Sequence, residues 1–235
     1  KKYPFLKNLY YFYNIYIRNY KFLKNGSQFG EDKFILEQFD KNYKGQFLDI
    51  GCFHPTKHNN TLLLYKKNWS GINIDLNPLT IDLFNFARPK DENINVAISD
   101  NETEKKLYFI DELNTQNTLD KNHLHFLKNH HKIQDAEIIE KKIKTKTINQ
   151  ILSSLNIDYI DFMNLDIEGH ELNVLKNINF DKFFIKIICV EMIKHNDEAS
   201  KKSAEIEKIL IENNFHLIKQ FEFNYIFKNK NEKNL

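Results

Sequence analysis

Short apolar runs alternate with amphipathic stretches along most of the chain, and this alternation predicts its strands and helices. The apolar runs predict strands at 45–50, 71–75, 93–98, 106–110, 159–166, 183–191, 215–219 and 223–228. Helical spacing predicts a helix that Ser27 caps, then helices at 60–68, 147–155 and 200–213, with others starting near Pro78 and Gly169. Strands that alternate with helices indicate an α/β fold, a mostly parallel sheet with helices on both faces.

Three regions depart from this rhythm. Residues 1–25 are rich in Tyr and Phe, and we interpret them as a helix or arm that packs on the domain or, as the favoured alternative, on a second subunit of a homo-oligomer. A membrane-surface helix is the alternative, disfavoured because its lysines are not confined to one face. Residues 111–142 are polar and predict an insertion in a domain spanning 26–228, and residues 229–235 predict a frayed tail.

Composition narrows the classes of function. With 34 basic and 32 acidic side chains, the formal net charge is +2, which argues against a broad nucleic-acid-binding surface. Two cysteines, Cys52 and Cys189, do not form a disulfide framework, so we expect a reducing, cytoplasmic environment. The uncharged apolar stretch 8–17 is too short to span a bilayer, and no signal peptide is expected.

Four predicted strands end in a carboxylate: Asp49, Asp75, Asp166 and Glu191. Parallel sheets bind their ligands at the carboxyl ends of the strands. A single acid in this position is often only a helix cap, whereas four at successive strand ends indicate one acidic crevice. The sequence therefore predicts a ligand site there.

The segment Phe47–Pro55 resembles the first motif of class I S-adenosylmethionine-dependent methyltransferases. The resemblance implies that Asp49 orients the cofactor and that Gly51 lets the backbone approach it closely. Phe53 departs from the motif, because many members have a second glycine there. The three spaced glycines of a nicotinamide dinucleotide site are absent from the sequence.

The next two predicted strands supply further cofactor contacts. Asp75 is placed to accept both hydroxyls of a ribose, as acids do at this position in dinucleotide folds. Ile98 and Ser99 would line an adenine ring, and Asp100 either meets the exocyclic amine or serves as a turn residue.

Five segments together resemble the FkbM family of methyltransferases: Ser27–Asp32, Leu48–Gly51, Ile72–Pro78, Arg88–Pro89 and Leu165–Glu171. The resemblance covers roughly residues 27–195. It implies a Rossmann-like class I fold with a seven-stranded sheet and an antiparallel C-terminal strand. It also implies O-methylation of sugar or natural-product hydroxyls, in polysaccharide, glycolipid or antibiotic assembly. The further cofactor contacts that it suggests are Gln28, Glu31, Cys52, Phe53 and Leu76.

A sugar hydroxyl needs a base, or a metal that lowers its pKa, before it attacks a methyl group. Asp166 is the first candidate, either as the base itself, as a cofactor contact or as a residue that orients a histidine. His170 and His195 each follow a strand-end acid by four residues and are candidate bases or caps. If a divalent metal takes part, its candidate ligands are Asp166, Glu168 and His170.

The insertion 111–142 is expected to form the acceptor side of the pocket, and its polar residues carry weaker signals. The histidines of the insertion, at positions 123, 125, 130 and 131, lack ligand-like spacing. Asn114–Thr115 and Asn117–Thr118 are candidate contacts to an acceptor hydroxyl or simply turn residues. Arg88 could pair with a phosphate or with a structural carboxylate, and the structural pairing is favoured. Two other functions stay open: methylation of another small-molecule group, and a non-catalytic nucleotide-binding assembly module.

Overall fold

The computed structural model describes residues 4–18, 23–110, 117–121, 124, 128, 138–194 and 196–231. Its strands are β1 Gln46–Ile50, β2 Ser70–Asp75, β3 Glu92–Asn95, β4 Ala97–Ile98, β5 Glu104–Phe109, β6 Ile139–Lys146, β7 Tyr159–Leu165, β8 Phe184–Glu191, β9 Phe215–Phe221 and β10 Asn224–Asn229. Its α-helices are α1 Pro4–Phe12, α2 Glu31–Leu36, α3 Leu62–Lys66, α4 Pro78–Ala87, α5 Ile148–Ser154, α6 Glu171–Leu175 and α7 Asp197–Glu212.

Seven strands form the main sheet in the order β3-β2-β1-β7-β8-β10-β9. Neighbouring strands from β3 to β8 pair in parallel, whereas β10 runs antiparallel to both β8 and β9. This confirms the predicted α/β class, with its mostly parallel seven-stranded sheet and antiparallel C-terminal strand.

Both faces of the sheet are buried, because successive side chains of a strand point to opposite faces. On β1, Leu48 packs into a core shared with residues of α5, α6 and α7. The adjacent Phe47 packs into a second core with residues of α2 and α3. Helices therefore cover both faces, and the polar groups at the carboxyl ends of the strands collect at one edge.

A separate three-stranded sheet, in the order β4-β6-β5, lies outside the predicted pattern. The strand predicted at 106–110 belongs to this sheet, and the strand predicted at 93–98 divides into β3 and β4. Strand β6 begins at Ile139, inside the region predicted as an insertion. Its mostly exposed, lysine-rich sequence gives little apolar alternation, which is why the sequence pattern missed it.

Helix starts follow local hydrogen bonding. The predicted start at Pro78 is confirmed, since the Asn77 side chain accepts a 3.0 Å bond from the Leu79 amide. The predicted Ser27 cap is wrong. Ser27 donates instead to the Asp32 carboxylate at 2.6 Å, and α2 begins only at Glu31.

The N-terminal arm consists of α1 and a π-helical turn, Tyr13–Ile17. Tyr11 and Ile15 pack against Leu83 of α4, so the arm rests on the outside of the sheet domain. None of the helices in the described ranges has both the length and the apolar character to span a bilayer.

Candidate functional site

A cavity of about 200 Å³ opens where β1, β2, β7 and β8 end. It collects most of the sequence-predicted site residues: Gln28, Asp49, Gly51, Cys52, Phe53, Asp75, Leu76, Ile98, Asp166, Glu168 and His170. Glu191 and Asn117 also line it, whereas Glu31, Ser99 and Asp100 do not. His195 lies outside the described residues. The strand ends thus meet in one crevice, as their spacing along the chain predicts.

Gly51 occupies the tightest backbone position at this edge. Its φ is +78°, and a Cβ there would lie 1.7 Å from the backbone oxygen of Asp166. The turn after β1 and the end of β7 therefore pass too close together for any side chain. The glycine is explained by this backbone contact, a reason that the sequence motif does not reveal.

Asp75 is held by the backbone and faces the cavity. Its two carboxylate oxygens accept bonds from the amides of Phe53 at 3.0 Å and Asn77 at 2.8 Å. Burial raises the pKa of Asp75 to about 6. Each oxygen has a second lone pair, so the fixed carboxylate has the capacity to accept two more hydroxyl hydrogen bonds.

Asp49 is the centre of a buried polar network. Its carboxylate accepts bonds from Thr61 at 2.8 Å, Asn59 at 3.2 Å and Asn164 at 2.9 Å. Burial raises its pKa, while the bond from Thr61 and the nearby charge of Arg88 oppose this shift. The network ties the loop after β1 to the sheet, so this acid already has partners inside the protein.

Arg88 completes the network from the end of α4. Fully buried, it donates to Thr61 at 2.9 Å, to Asn59 at 2.8 Å and to the backbone oxygen of Pro55 at 2.6 Å. The favoured pairing with a structural carboxylate is therefore not direct, because Arg88 reaches Asp49 through Thr61 and Asn59. Sequence reasoning missed Asn59, Thr61 and Asn164. The available signal was the polar run 59–61 soon after the strand-end acid.

Ser99 and His170 form a chain of bonds beside the cavity. The Ser99 hydroxyl lies 2.7 Å from His170 Nε2 and donates to Asp100 at 2.7 Å. Because that hydroxyl has one hydrogen, Nε2 must carry the proton that it shares with Ser99. Burial lowers the pKa of His170 to about 4, so the ring is neutral near pH 7.

Two predicted cofactor contacts are engaged elsewhere. Asp100 pairs with Lys105, and this bond lowers its pKa. Glu31 is fully buried and accepts bonds from the Phe29 amide at 2.8 Å and from the Asn224 side chain at 2.7 Å. Because Asn224 lines the cavity, Glu31 acts on it only through that amide.

Three carboxylates form a cluster at the ends of β7 and β8. Asp166, Glu171 and Glu191 place oxygens within 4.8 Å of one another. Glu171 accepts bonds from the amides of Ile167 at 2.8 Å and Gly169 at 3.2 Å. The carboxylates of Asp166 and Glu191 accept no hydrogen bond from any residue in the described part of the chain.

The electrostatic environment of this cluster favours protons or cations. Burial comes first and the neighbouring carboxylates second in raising the pKa of Asp166 and of Glu191 well above the ordinary range. The grouping differs from the predicted metal ligands, because Glu171 and Glu191 join Asp166 in place of Glu168 and His170. The turn at Glu168 and Gly169, both with positive φ, folds Glu171 back toward the strand end.

Part of the predicted acceptor segment lies over this edge. Thr118 donates to the backbone oxygen of Glu168 at 2.8 Å, and Asn117 accepts from the Ile110 amide at 2.8 Å. Asn117 also lines the cavity. The other residues predicted there, Asn114, Thr115 and the histidines at 123, 125, 130 and 131, lie outside the described residues.

Comparison with known proteins supplies the family. A family model described as the methyltransferase FkbM domain matches residues 49–217, most of the chain. This range contains the cavity-lining strands β2, β7 and β8, the end of β1 and the three-carboxylate cluster. Among curated proteins, no significant match is found.

Proposed function

The chain belongs to the FkbM methyltransferase family, and from that premise we propose that it methylates a hydroxyl group of a sugar with S-adenosylmethionine. The acceptor is a nucleotide-activated sugar or a saccharide of a surface glycan or natural product. One observation carries the choice of a hydroxyl. Asp166 and Glu191 face the cavity without a hydrogen-bond donor in the described part of the chain, as a proton acceptor would.

Two features of the cavity at the ends of β1, β2, β7 and β8 support S-adenosylmethionine as its ligand. Asp75 offers a fixed carboxylate to the ribose hydroxyls, and Leu76 and Ile98 supply apolar surface for the adenine. Bound there, the cofactor supplies a methyl group on a positively charged sulfur. The acidic edge stabilises that charge, and the protein then has to position and deprotonate the acceptor oxygen.

Asp166 and Glu191 are the proposed proton acceptors. A carboxylate whose pKa is raised holds a proton more strongly than an ordinary one and is, in its charged form, a stronger general base. His170 is a weaker candidate, because its pKa is lowered to about 4 and its Nε2 is engaged by Ser99. Its proposed role is to hold the turn beside Asp166. A role for His195 stays a prediction.

A second cavity of about 60 Å³ gives the acceptor a separate approach. Glu191 lines both cavities, and Glu171 lines the second. At its rim, Lys202 of α7 pairs with Asp120, which ties the segment 117–121 to the helix. We place the acceptor hydroxyl here, next to Glu191. The acidic wall favours a neutral polyol over a carboxylate or phosphate at the reacting end.

The same three carboxylates also suit a divalent cation. They provide the all-oxygen ligand set that Mg²⁺ and Ca²⁺ prefer. A cation held by Asp166, Glu171 and Glu191 would lower the pKa of an acceptor hydroxyl. The cluster would also attract an ammonium group, so an amino sugar methylated on nitrogen is the competing proposal.

The test combines binding with turnover. Calorimetry should detect S-adenosylmethionine binding, and S-adenosylhomocysteine should form with members of a panel of nucleotide-activated and free neutral sugars. Amino sugars form the second arm, and EDTA followed by Mg²⁺ forms the third. Cofactor binding without turnover on any acceptor would favour the non-catalytic module. Turnover restricted to amino sugars would replace the O-methylation proposal.

A further inference from the structure

We propose that the outer face of the N-terminal arm, residues 4–18, docks the protein on an anionic lipid surface. This goes beyond the proposed methyl transfer and does not depend on it. The surface in question, which we call the arm face, consists of Phe5, Leu6, Leu9, Tyr10, Phe12, Tyr13, Tyr16 and Ile17.

Exposure of apolar side chains is concentrated on the arm face. Of the twelve exposed large hydrophobic side chains in the described part of the chain, eight belong to it. Phe5 is 75% exposed, and Ile17 is 60% exposed. Exposed apolar residues scattered singly are normal, but a contiguous set of this kind marks a binding surface.

The polar contacts of the arm lie on its inner side. Tyr11 donates to Asp82 of α4 at 2.6 Å, and Lys7 lies 3.0 Å from the same carboxylate. Arg18 donates to the buried Asn14 at 3.1 Å. The sequence argued against a membrane helix because its basic residues are spread around it. In the structure, Lys7 is tied to α4, and an apolar face is left outside.

Charge separates a lipid surface from a second copy of this chain. The first 30 residues contain six basic side chains and no acidic one, whereas the other 205 contain 28 basic and 32 acidic side chains. Two such arms in a symmetric dimer would bring like charges together. An anionic bilayer is instead attracted by basic residues that flank an apolar face rich in Tyr and Phe.

The geometry also suits an interfacial position. The arm is one short helix and a π-helical turn that rests on α4 through Tyr11 and Ile15, whereas the eight side chains of the arm face are exposed. A helix of this kind lies in the plane of the interface with its apolar face among the headgroups and upper acyl chains. The main sheet would then remain outside the bilayer, and the arm would lie between the sheet domain and the lipid.

Vesicle flotation with the full chain tests the proposal. We expect binding to vesicles of phosphatidylcholine with about one-third phosphatidylglycerol, weakened by high salt. The double variant Phe5→Ser/Leu9→Ser should lower the partition coefficient by roughly 100-fold, because two large apolar side chains no longer leave water. The matched control is Ile211→Ser/Leu217→Ser, exposed apolar residues of α7 and β9 that should not affect binding.

Light scattering and thermal melting accompany the flotation. The proposal requires a monomer in solution, melting temperatures of both double variants close to the wild type, and binding that needs the anionic lipid. Equal binding to pure phosphatidylcholine would overturn it. So would a dimer that Phe5→Ser/Leu9→Ser dissociates, because the arm face would then bind a second copy.

Discussion

Asp49 and Asp166 sit at the carboxyl edge of adjacent strands, yet their surroundings differ. Asp49 accepts three side-chain hydrogen bonds and lies in a network that includes the buried Arg88. Asp166 accepts none from the described residues and lies within 4.8 Å of two further carboxylates. The first acid therefore stabilises the loop after β1, whereas the second is left for a proton, a cation or a substrate.

The difference teaches that strand-end position alone does not assign a role. Asp49 is buried and Asp166 is half-buried, and the loss of contact with water raises the pKa of both carboxyl groups. The two acids differ in their neighbours. Hydroxyl and amide donors stabilise the charged form of Asp49, whereas neighbouring carboxylates destabilise the charged form of Asp166. Groups whose charged form is disfavoured in a cleft are candidates for chemistry.

The largest expected effect is the loss of turnover in Asp166→Asn. The substitution keeps the volume of the side chain but removes its capacity to take a proton. S-adenosylhomocysteine formation should fall by a factor of about 100 to 10,000. Glu168→Gln, which changes a cavity-lining acid outside the cluster, is the matched control and should stay within about threefold. Near-normal turnover in Asp166→Asn would make Glu191 the remaining candidate base.

Asp49→Asn should lower the stability of the fold, in contrast to Asp166→Asn, whose main effect is on turnover. Its new amide donors would face the donors of Thr61, Asn59 and Asn164, and Arg88 would lose its nearby negative charge. We expect the free energy of unfolding to fall by about 2–3 kcal/mol in urea denaturation. An unchanged midpoint would show that the network does not need the charge of Asp49.

The sequence predicts which strands end at this edge of the sheet, but not which side chains contact one another there. Apolar runs that end in an acid locate β1, β2, β7 and β8, because burial of a parallel strand leaves a clear pattern. Glu171 could not be placed in the cluster, since that depends on the turn at Glu168 and Gly169. The lysine-rich β6 could likewise not be predicted, because its polar sequence lacks the apolar alternation of a strand. Contacts between residues that are distant in the sequence leave no local pattern from which they could be predicted.

The affinity for S-adenosylmethionine distinguishes two other predicted cofactor contacts, Asp75 and Asp100. Asp75 faces the cavity with fixed oxygens, whereas Asp100 pairs with Lys105 outside it. Asp75→Ala should weaken S-adenosylmethionine binding by about 1–3 kcal/mol in calorimetry. Asp100→Ala should change it by less than about 0.5 kcal/mol. Equal losses would restore the adenine contact assigned to Asp100 from the sequence.

The smallest expected effect is on the pH dependence of stability. The raised pKa values of Asp166, Glu171 and Glu191 mean that the folded chain holds protons more tightly than the unfolded chain. Their contribution is therefore favourable at low pH and is lost as the pH rises through their folded pKa values. As the pH rises through that range, the melting temperature of Asp166→Asn should gain about 2–4 °C on that of the wild type. A constant difference across this range would mean that Asp166 keeps its protonation state.

The most direct test of the proposed chemistry follows the methyl group itself. The protein is incubated with S-adenosylmethionine carrying a ¹³C-labelled methyl group and with the neutral sugar that supports turnover, and the product is examined by NMR. We predict that the label appears as a methyl ether on a sugar carbon with the wild type and with Glu168→Gln, and is nearly absent with Asp166→Asn. Label found on nitrogen would contradict methyl transfer to a hydroxyl, and equal labelling with Asp166→Asn would contradict the assignment of Asp166 as the base that activates it.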